Sequence, residues 1–287
     1  MEKIEFVANA KKNIFDLIIE IKPTLNFSML KTALRKKDIK VNNKKINDNV
    51  LANVGDKITL YLPTREEKEI EIIYEDKNIL IANKPQGMEV TLQDKNFFDS
   101  KCMEEILNAK ACHRLDKNTE GLVVFAKTEL AEKIMFEVFK EHQIEKRYLA
   151  IVSGNVKKSG DFLQNYLKKE QNFAKICSKS EKNAKTAKLK YYIKNKNDDI
   201  YLIDINLFTG RFHQIRAQLS HHKIFVLGDE KYGDKDINKK YHKNKQQLCA
   251  YKIKFENLAY PLQNLSQKEF EITPSFLKEF NFEWNIF

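Results

Sequence analysis

Hydrophobic positions follow two different periods at the start of the chain. Ile14, Leu17, Ile18 and Ile21 recur at helical spacing until Pro23 closes the segment. Ser28 is positioned to cap a second helix whose apolar face carries Met29, Leu30, Ala33 and Leu34. The period then drops to two: Ile39 and Val41 alternate with polar residues before an Asn42-Asn43 turn, and Ile58, Leu60 and Leu62 do so after Gly55-Asp56. Residues 1–62 therefore read as a small module of helix, helix and short strands. Residues 63–69, which include Arg65, have no apolar period and read as a linker.

From residue 70 to 287 strands dominate. Residues 70–74 and 79–82 alternate and lead into the loop Asn83-Lys84-Pro85-Gln86-Gly87. Asp99 is set to cap a helix bearing Met103, Ile106 and Leu107, and residues 122–126 form a continuous apolar run suited to a central strand. Thr128 caps an amphipathic helix with Leu130, Ile134 and Val138 in one row and Met135 and Phe139 in the next. Residues 148–152, 189–193, 201–207 and 251–255 again read as strands, whereas 157–185 is polar and without period. Helices interspersed irregularly among strands give an α+β fold class. The expected arrangement is a mixed or antiparallel β-sheet domain with flanking helices, preceded by a small α+β module.

Composition narrows the setting. A hydrophobic content of 42% in 287 residues supports a folded core. No apolar run approaches the roughly 18 residues that span a bilayer, and the charged N-terminus does not fit a secretory signal, so a cytoplasmic protein without a membrane partner is expected. Cys102, Cys112, Cys177 and Cys249 lack CxxC spacing and read as reduced, mostly buried thiols. Lys plus Arg number 51 against 40 Asp plus Glu, and the net charge of +11 suits a polyanionic partner. A generally Lys-rich composition is the plainer explanation of the same number.

Arginine usage is more telling than charge. Of six arginines, four fall in three short segments: His113-Arg114-Leu115-Asp116, Lys146-Arg147-Tyr148, and Thr209 to Arg216. Only Arg offers a planar fork that grips a carboxylate or phosphate in two places and stacks on a ring. Asp116 precedes the predicted central strand, where a carboxylate can be a nucleophile, a general base, a metal ligand or a turn-former. Phe212, Ile215 and Leu219 predict one face of a helix beginning after Gly210, with His213 and Arg216 together on an adjacent side. Arg216 is thus placed to pair with a buried carboxylate and keep it ionised, a contact a purely structural ion pair would also make. His113, His213, His221 and His222 lack HxxxH or HExxH spacing, and no metal is expected.

The segment from His113 to Leu122, His-Arg-Leu-Asp-Lys-Asn-Thr-Glu-Gly-Leu, resembles the HRLDxxTSG signature of the RluA-like pseudouridine synthase family. Further matches follow the family's order: residues 83–87 to its NKPxG loop, 146–150 to its KxYxA strand, 209–216 to its TGRxHQIR segment, and 228–233 to GDxxYG. Residues 12–62 resemble the alpha-L RNA-binding motif of ribosomal proteins, with Asp38 and Asn43 where that motif often has glycine. Seven cations lie between Lys31 and Lys45, Arg35 and Lys36 among them.

The resemblance implies an RNA pseudouridine synthase, an isomerase that needs no cofactor. Asp116 would be its essential aspartate, Tyr148 the tyrosine beside the target base, and Arg216 the partner of the aspartate. Arg114 would fill the space the uridine vacates, while His113, Arg211 and His213 would support RNA and loop geometry and Arg147 would touch RNA. The implied partner is RNA, with large-subunit ribosomal RNA the favoured target, transfer RNA the alternative, and a non-catalytic ribosome-assembly factor the rival class. A monomer is the default expectation. Two departures stand out: Glu120 replaces a small serine and is expected to raise the pKa of Asp116, and the short stretch between Gly87 and His113 lacks the usual Val-His-Pro, which should alter the pocket edge.

Overall fold

The computed structural model describes residues 2–62, 69–92, 102–157, 160–280 and 282. The expected linker, Glu69 excepted, and the proposed cap Asp99 lie outside the described residues. The chain divides into two compact units, Met1–Lys68 with Leu92–Lys101, and Glu69–Thr91 with Cys102–Phe287.

In the first unit an antiparallel sheet runs Glu2–Val7, Lys57–Leu62, Ile39–Val41, Lys44–Lys45. Helices Ile14–Ile21 and Phe27–Arg35 contribute Ile14, Leu17, Ile18, Met29, Leu30 and Ala33 to the same core as Ile39, Ile58 and Leu60. The strand Glu2–Val7 escaped the sequence reading because it is an edge strand with no buried side chain to betray a period. The second helix starts two residues earlier than expected. Asn26, not Ser28, is its cap, accepting a hydrogen bond from the Met29 backbone at 3.1 Å.

The second unit is built on a twelve-stranded sheet. Its main path runs Phe173–Cys177, Asp161–Glu170, Lys185–Asn197, Ile200–Leu207, Ile144–Gly154, Leu248–Phe255, Glu120–Ala126, Ile79–Lys84, Glu71–Glu75. Every pair is antiparallel except Glu120–Ala126 with Leu248–Phe255, so the sheet is mixed, as the α+β reading expected. The parallel contact explains Gly121. It has φ +124°, and a Cβ there would run into the Ala250 backbone.

Both faces of the sheet are covered, which is why Glu120–Ala126 is buried at every residue. On one face the helix Glu129–Lys140 packs Ala131, Met135 and Val138 against Leu122, Val124 and Tyr251. Thr128 caps it as expected, but the buried row is shifted from the predicted one: Leu130 is 51% exposed and Ile134 only partly buried. The other face packs Ile215 and Leu219 of the helix Gln214–His221 with Val123, Tyr148, Ala150 and Ile203. Residues 157–185, unreadable from their pattern, hold the hairpin Asp161–Glu170 and Phe173–Cys177 at the sheet's end. The helix Met103–Leu107 has Cys102 as its N-cap. All four cysteines are free, with Cys102 and Cys249 buried and Cys112 and Cys177 half-buried. Among the described residues no helix is long and apolar enough to cross a membrane.

Candidate active site

The loop before the central strand is pinned from below. Lys84 is fully buried, and its ammonium donates to the carbonyls of Pro85 (3.0 Å), Met88 (2.8 Å) and Lys117 (2.9 Å). Three acceptors for three protons remove most of the cost of burying that charge. Gly87 N–H donates to the same Lys117 carbonyl at 2.8 Å, and Thr119 N–H closes the turn onto the Asp116 carbonyl at 3.0 Å. Gln246 adds a donor to the Thr119 hydroxyl, and Gln86 donates to the Gln246 carbonyl at 2.7 Å. With Leu115 buried between them, these contacts fix the backbone and leave the Asp116 side chain 22% exposed.

Arg216 reaches Asp116 from the first turn of the helix Gln214–His221. Its Nη1 donates to Asp116 Oδ2 at 2.7 Å, while Nε and Nη2 donate to the two oxygens of buried Asp229 at 2.6 and 2.9 Å. The Asp229 carboxylate also accepts from the backbone of Lys231 and Tyr232. One guanidinium therefore bridges two carboxylates. Burial works against the charge on Arg216, but its bonds to Asp229 and Asp116 outweigh it and hold the pKa above the ordinary value. The Tyr232 ring lies under the guanidinium at 5.0 Å.

His213 is not part of the helix, nor is Phe212 on its face. His213 is the N-cap in a left-handed conformation, φ 50°, and Phe212 precedes it, its ring stacked on the imidazole at 3.7 Å. This turn points His213 Nδ1 at the Tyr232 hydroxyl, 3.0 Å away, and Nε2 toward Asp116 Oδ2 at 3.7 Å. Burial pushes its pKa down to about 4, despite the opposing pull of Asp116, so the ring is neutral near pH 7.

Tyr148 stands on the strand Ile144–Gly154 at a register shift against Leu248–Phe255, between Arg147 and Leu149. Such a bulge re-aims side chains. Beyond it Leu149 and Ile151 join the face of the helix Glu129–Lys140, while Tyr148, Ala150 and Val152 join that of Arg216's helix. Burial, then the charge of Asp116, raises the Tyr148 pKa well above the usual phenol range, keeping its hydroxyl protonated. Tyr148 and Arg114 line a cavity of about 480 Å³ with His113, Phe139, Lys146 and Arg211. Arg114 is exposed and has no ion-pair partner among the described residues.

His113 is turned inward. Its Nε2 accepts from the Val124 backbone at 3.1 Å, its ring packs on Phe139 at 4.5 Å, and burial lowers its pKa to about 3. Arg211 anchors its own loop through Nε to the Thr186 carbonyl at 3.1 Å. Arg147, expected to touch RNA, is instead committed to buried Asp204 through Nε at 3.2 Å and Nη2 at 2.5 Å. Glu120 accepts from the Ser275 backbone (2.9 Å) and hydroxyl (2.6 Å), with burial raising its own pKa; its bonds run to the C-terminal segment. Arg35 and Lys36 belong to the first unit, exposed at the end of the helix Phe27–Arg35.

Three contributors were missed as site residues: Asp229, Tyr232 and Lys84. The first two sit in the Gly228 to Gly233 segment and the third in Asn83-Lys84-Pro85, both noticed as motifs without a role for those side chains. Among the described residues no group of three or more His, Cys, Asp or Glu is arranged to hold a metal.

The profile of RNA pseudouridylate synthases matches residues 78–221, a span containing Asp116, Tyr148 and Arg216. The chain is 32% identical to an RNA pseudouridine synthase of Mycoplasma capricolum described as uncharacterized, over 92% of this chain and 95% of that one. It is 30% identical to the Rickettsia felis "Ribosomal large subunit pseudouridine synthase C", over 75% and 79%. The solved structure of human RNA pseudouridylate synthase domain containing 4 shares the fold, with a TM-score of 0.60 at 22% identity over 75% of this chain and 94% of that chain. The chain belongs to the RNA pseudouridine synthase family, whose members are isomerases acting on RNA.

Proposed function

We propose that this enzyme converts specific uridines of large-subunit ribosomal RNA to pseudouridine, with Asp116 as the catalytic carboxylate. The observation that carries the reading is the bridge Asp229–Arg216–Asp116, which holds and orients the Asp116 carboxylate close enough to buried Tyr148 for its charge to act on the phenol. The reaction breaks the bond from ribose C1′ to uracil N1, turns the base, and joins C1′ to C5. The proton at C5 leaves to solvent and N1 gains one, so no oxidant or reductant enters. Asp116 serves on the sugar side, adding to C1′ or drawing off a sugar proton, and either role requires the charged form.

Tyr148 supplies a ring wall for the detached or activated base. Extracting the uridine costs a few kcal/mol of stacking. Arg114, exposed and unpaired among the described residues, recovers part of it by laying its guanidinium plane in the vacancy. Residues 1–62 serve as an alpha-L-like RNA-binding domain, and 70–287 as the catalytic domain. Lys31, Arg35, Lys36, Lys37, Lys44 and Lys45 are exposed there and suit phosphate contacts. Ribosomal RNA is favoured over transfer RNA because relatives at about 30% identity from Rickettsia carry large-subunit synthase names.

Mapping pseudouridine across ribosomal and transfer RNA from cells with and without the gene tests this. Loss of one or more large-subunit sites is the expected result. Loss confined to transfer RNA would move the target, and no loss anywhere would favour a non-catalytic RNA-binding role.

A further inference from the structure

Two lysines of the second unit are almost wholly buried, and they differ in one respect. Lys84 spends its protons on three carbonyls, whereas Lys146, 8% exposed as a residue, keeps its ammonium open to solvent without a hydrogen bond or ion pair among the described residues, 5.9 Å from the centre of the Phe139 ring. An ammonium on a largely buried stem, with no protein acceptor, is available to the acceptors of a ligand that enters the recess. Lys146 lines the 480 Å³ cavity that holds Tyr148, and so does Arg211, which has no ion-pair partner among the described residues. Burial, and then the charge of Arg211, pushes the Lys146 pKa down to about 8.

The cavity's other charged and titratable groups are His113, Arg114, Lys140 and His142, together with Tyr148. Burial and Lys146 hold His113 neutral, and burial, Lys146 and Arg211 lower His142. Lys140 is taken by Glu137 and Glu141. Among the described residues no carboxylate lines this space. It is a cation-walled recess missing its anion.

We propose that Lys146 and Arg211 form a phosphate subsite that holds the RNA backbone beside the extracted uridine. The inference rests on the reading of this cavity as the uridine site. A phosphate supplies the acceptors that Lys146 lacks and relieves its repulsion with Arg211. It also favours the charged amine, so binding takes up protons and weakens as pH rises past about 8.

The test is fluorescence-anisotropy titration of the full-length protein with labelled pentauridylate and with its uncharged methylphosphonate counterpart. Lys146→Met should weaken pentauridylate binding about ten- to hundredfold, the size of a lost charge-assisted contact, and leave methylphosphonate binding unchanged. Between pH 7 and 9 the wild type should lose affinity that Lys146→Arg, still charged, retains. Unchanged pentauridylate affinity in Lys146→Met, or the same pH profile in Lys146→Arg as in wild type, would overturn the subsite. Circular dichroism of both variants separates misfolding from lost contact. The Asp116→Asn variant keeps the two failures apart: intact pentauridylate binding with persistent pseudouridine formation counts against the catalytic reading alone.

Discussion

Asp229 holds Arg216 by two of its three guanidinium nitrogens, Nε at 2.6 Å and Nη2 at 2.9 Å, and leaves Nη1 to reach Asp116. The orienting carboxylate is buried and the working one is half-open, a division of labour that a lysine's point charge could not reproduce. Arg216→Lys should therefore fold yet lose on the order of 100-fold in kcat/KM, about 2.7 kcal/mol of transition-state stabilisation. Steady-state tritium release from C5-labelled uridine in RNA measures it, and a loss under threefold would show that the fork geometry is dispensable.

The same relationship predicts a stability effect away from the substrate. Asp229→Ala removes the bidentate partner of a buried guanidinium and should cost about 3–5 kcal/mol, because breaking one side of a buried pair strands the other. Urea denaturation followed by circular dichroism reports the difference.

Two histidines with lowered pKa values set an acid limit on stability. His113 and His213 have folded pKa values of about 3 and about 4, both below the ordinary 6.5. Because the unfolded chain binds the proton first, their contribution is fully present above pH 6.5. It is lost as pH falls toward the folded values, by at most about 1.4 kcal/mol per pH unit for each ring. His113→Gln, which keeps an acceptor for the Val124 N–H, should flatten the stability-against-pH curve between pH 6 and 4. An unchanged slope would remove His113 from the account.

Parts of this site were legible because each lies in a short recognisable segment, although the segments are far apart along the chain. The His113 to Asp116 run and the segments holding Tyr148 and Arg216 stand out by their arginines, and helix spacing gives Arg216 a buried carboxylate as partner; that the partner is Asp116 follows from the family resemblance. Asp229 was not, because its relation to Arg216 depends on how residues 228–233 fold against the helix Gln214–His221. Phe212 was misassigned for a similar reason: the left-handed His213 starts the helix three residues later than the apolar spacing suggests. Arg147 was read as RNA-facing because Asp204, on the neighbouring strand, is invisible to a one-dimensional pattern. The edge strand Glu2–Val7 and the hairpin 161–177 went unread since half-exposed strands leave little hydrophobic period.

The first unit's role is tested by salt. Arg35→Ala with Lys36→Ala removes two exposed cations and should lower the slope of log affinity against log salt for ribosomal RNA by about 1.5 to 2, without changing kcat. Filter binding between 50 and 300 mM salt, on the order used for such slopes, measures it. An identical slope would mean that this surface does not meet phosphate.

Arg114→Lys conserves charge on an exposed side chain without an ion-pair partner among the described residues and so should leave stability within about 0.5 kcal/mol. Turnover should still fall about tenfold, because an ammonium cannot stack in the vacated base position. Thermal unfolding and tritium release on the same preparation separate the two effects.

The most direct measurement of the central claim is tritium release from C5-labelled uridine in ribosomal RNA by the wild type and by Asp116→Asn, which keeps the shape of the side chain and removes its charge. The account predicts release by the wild type and none above background by the variant, with RNA binding retained. Release by Asp116→Asn at a rate near wild type would contradict the assignment of this carboxylate to the reaction.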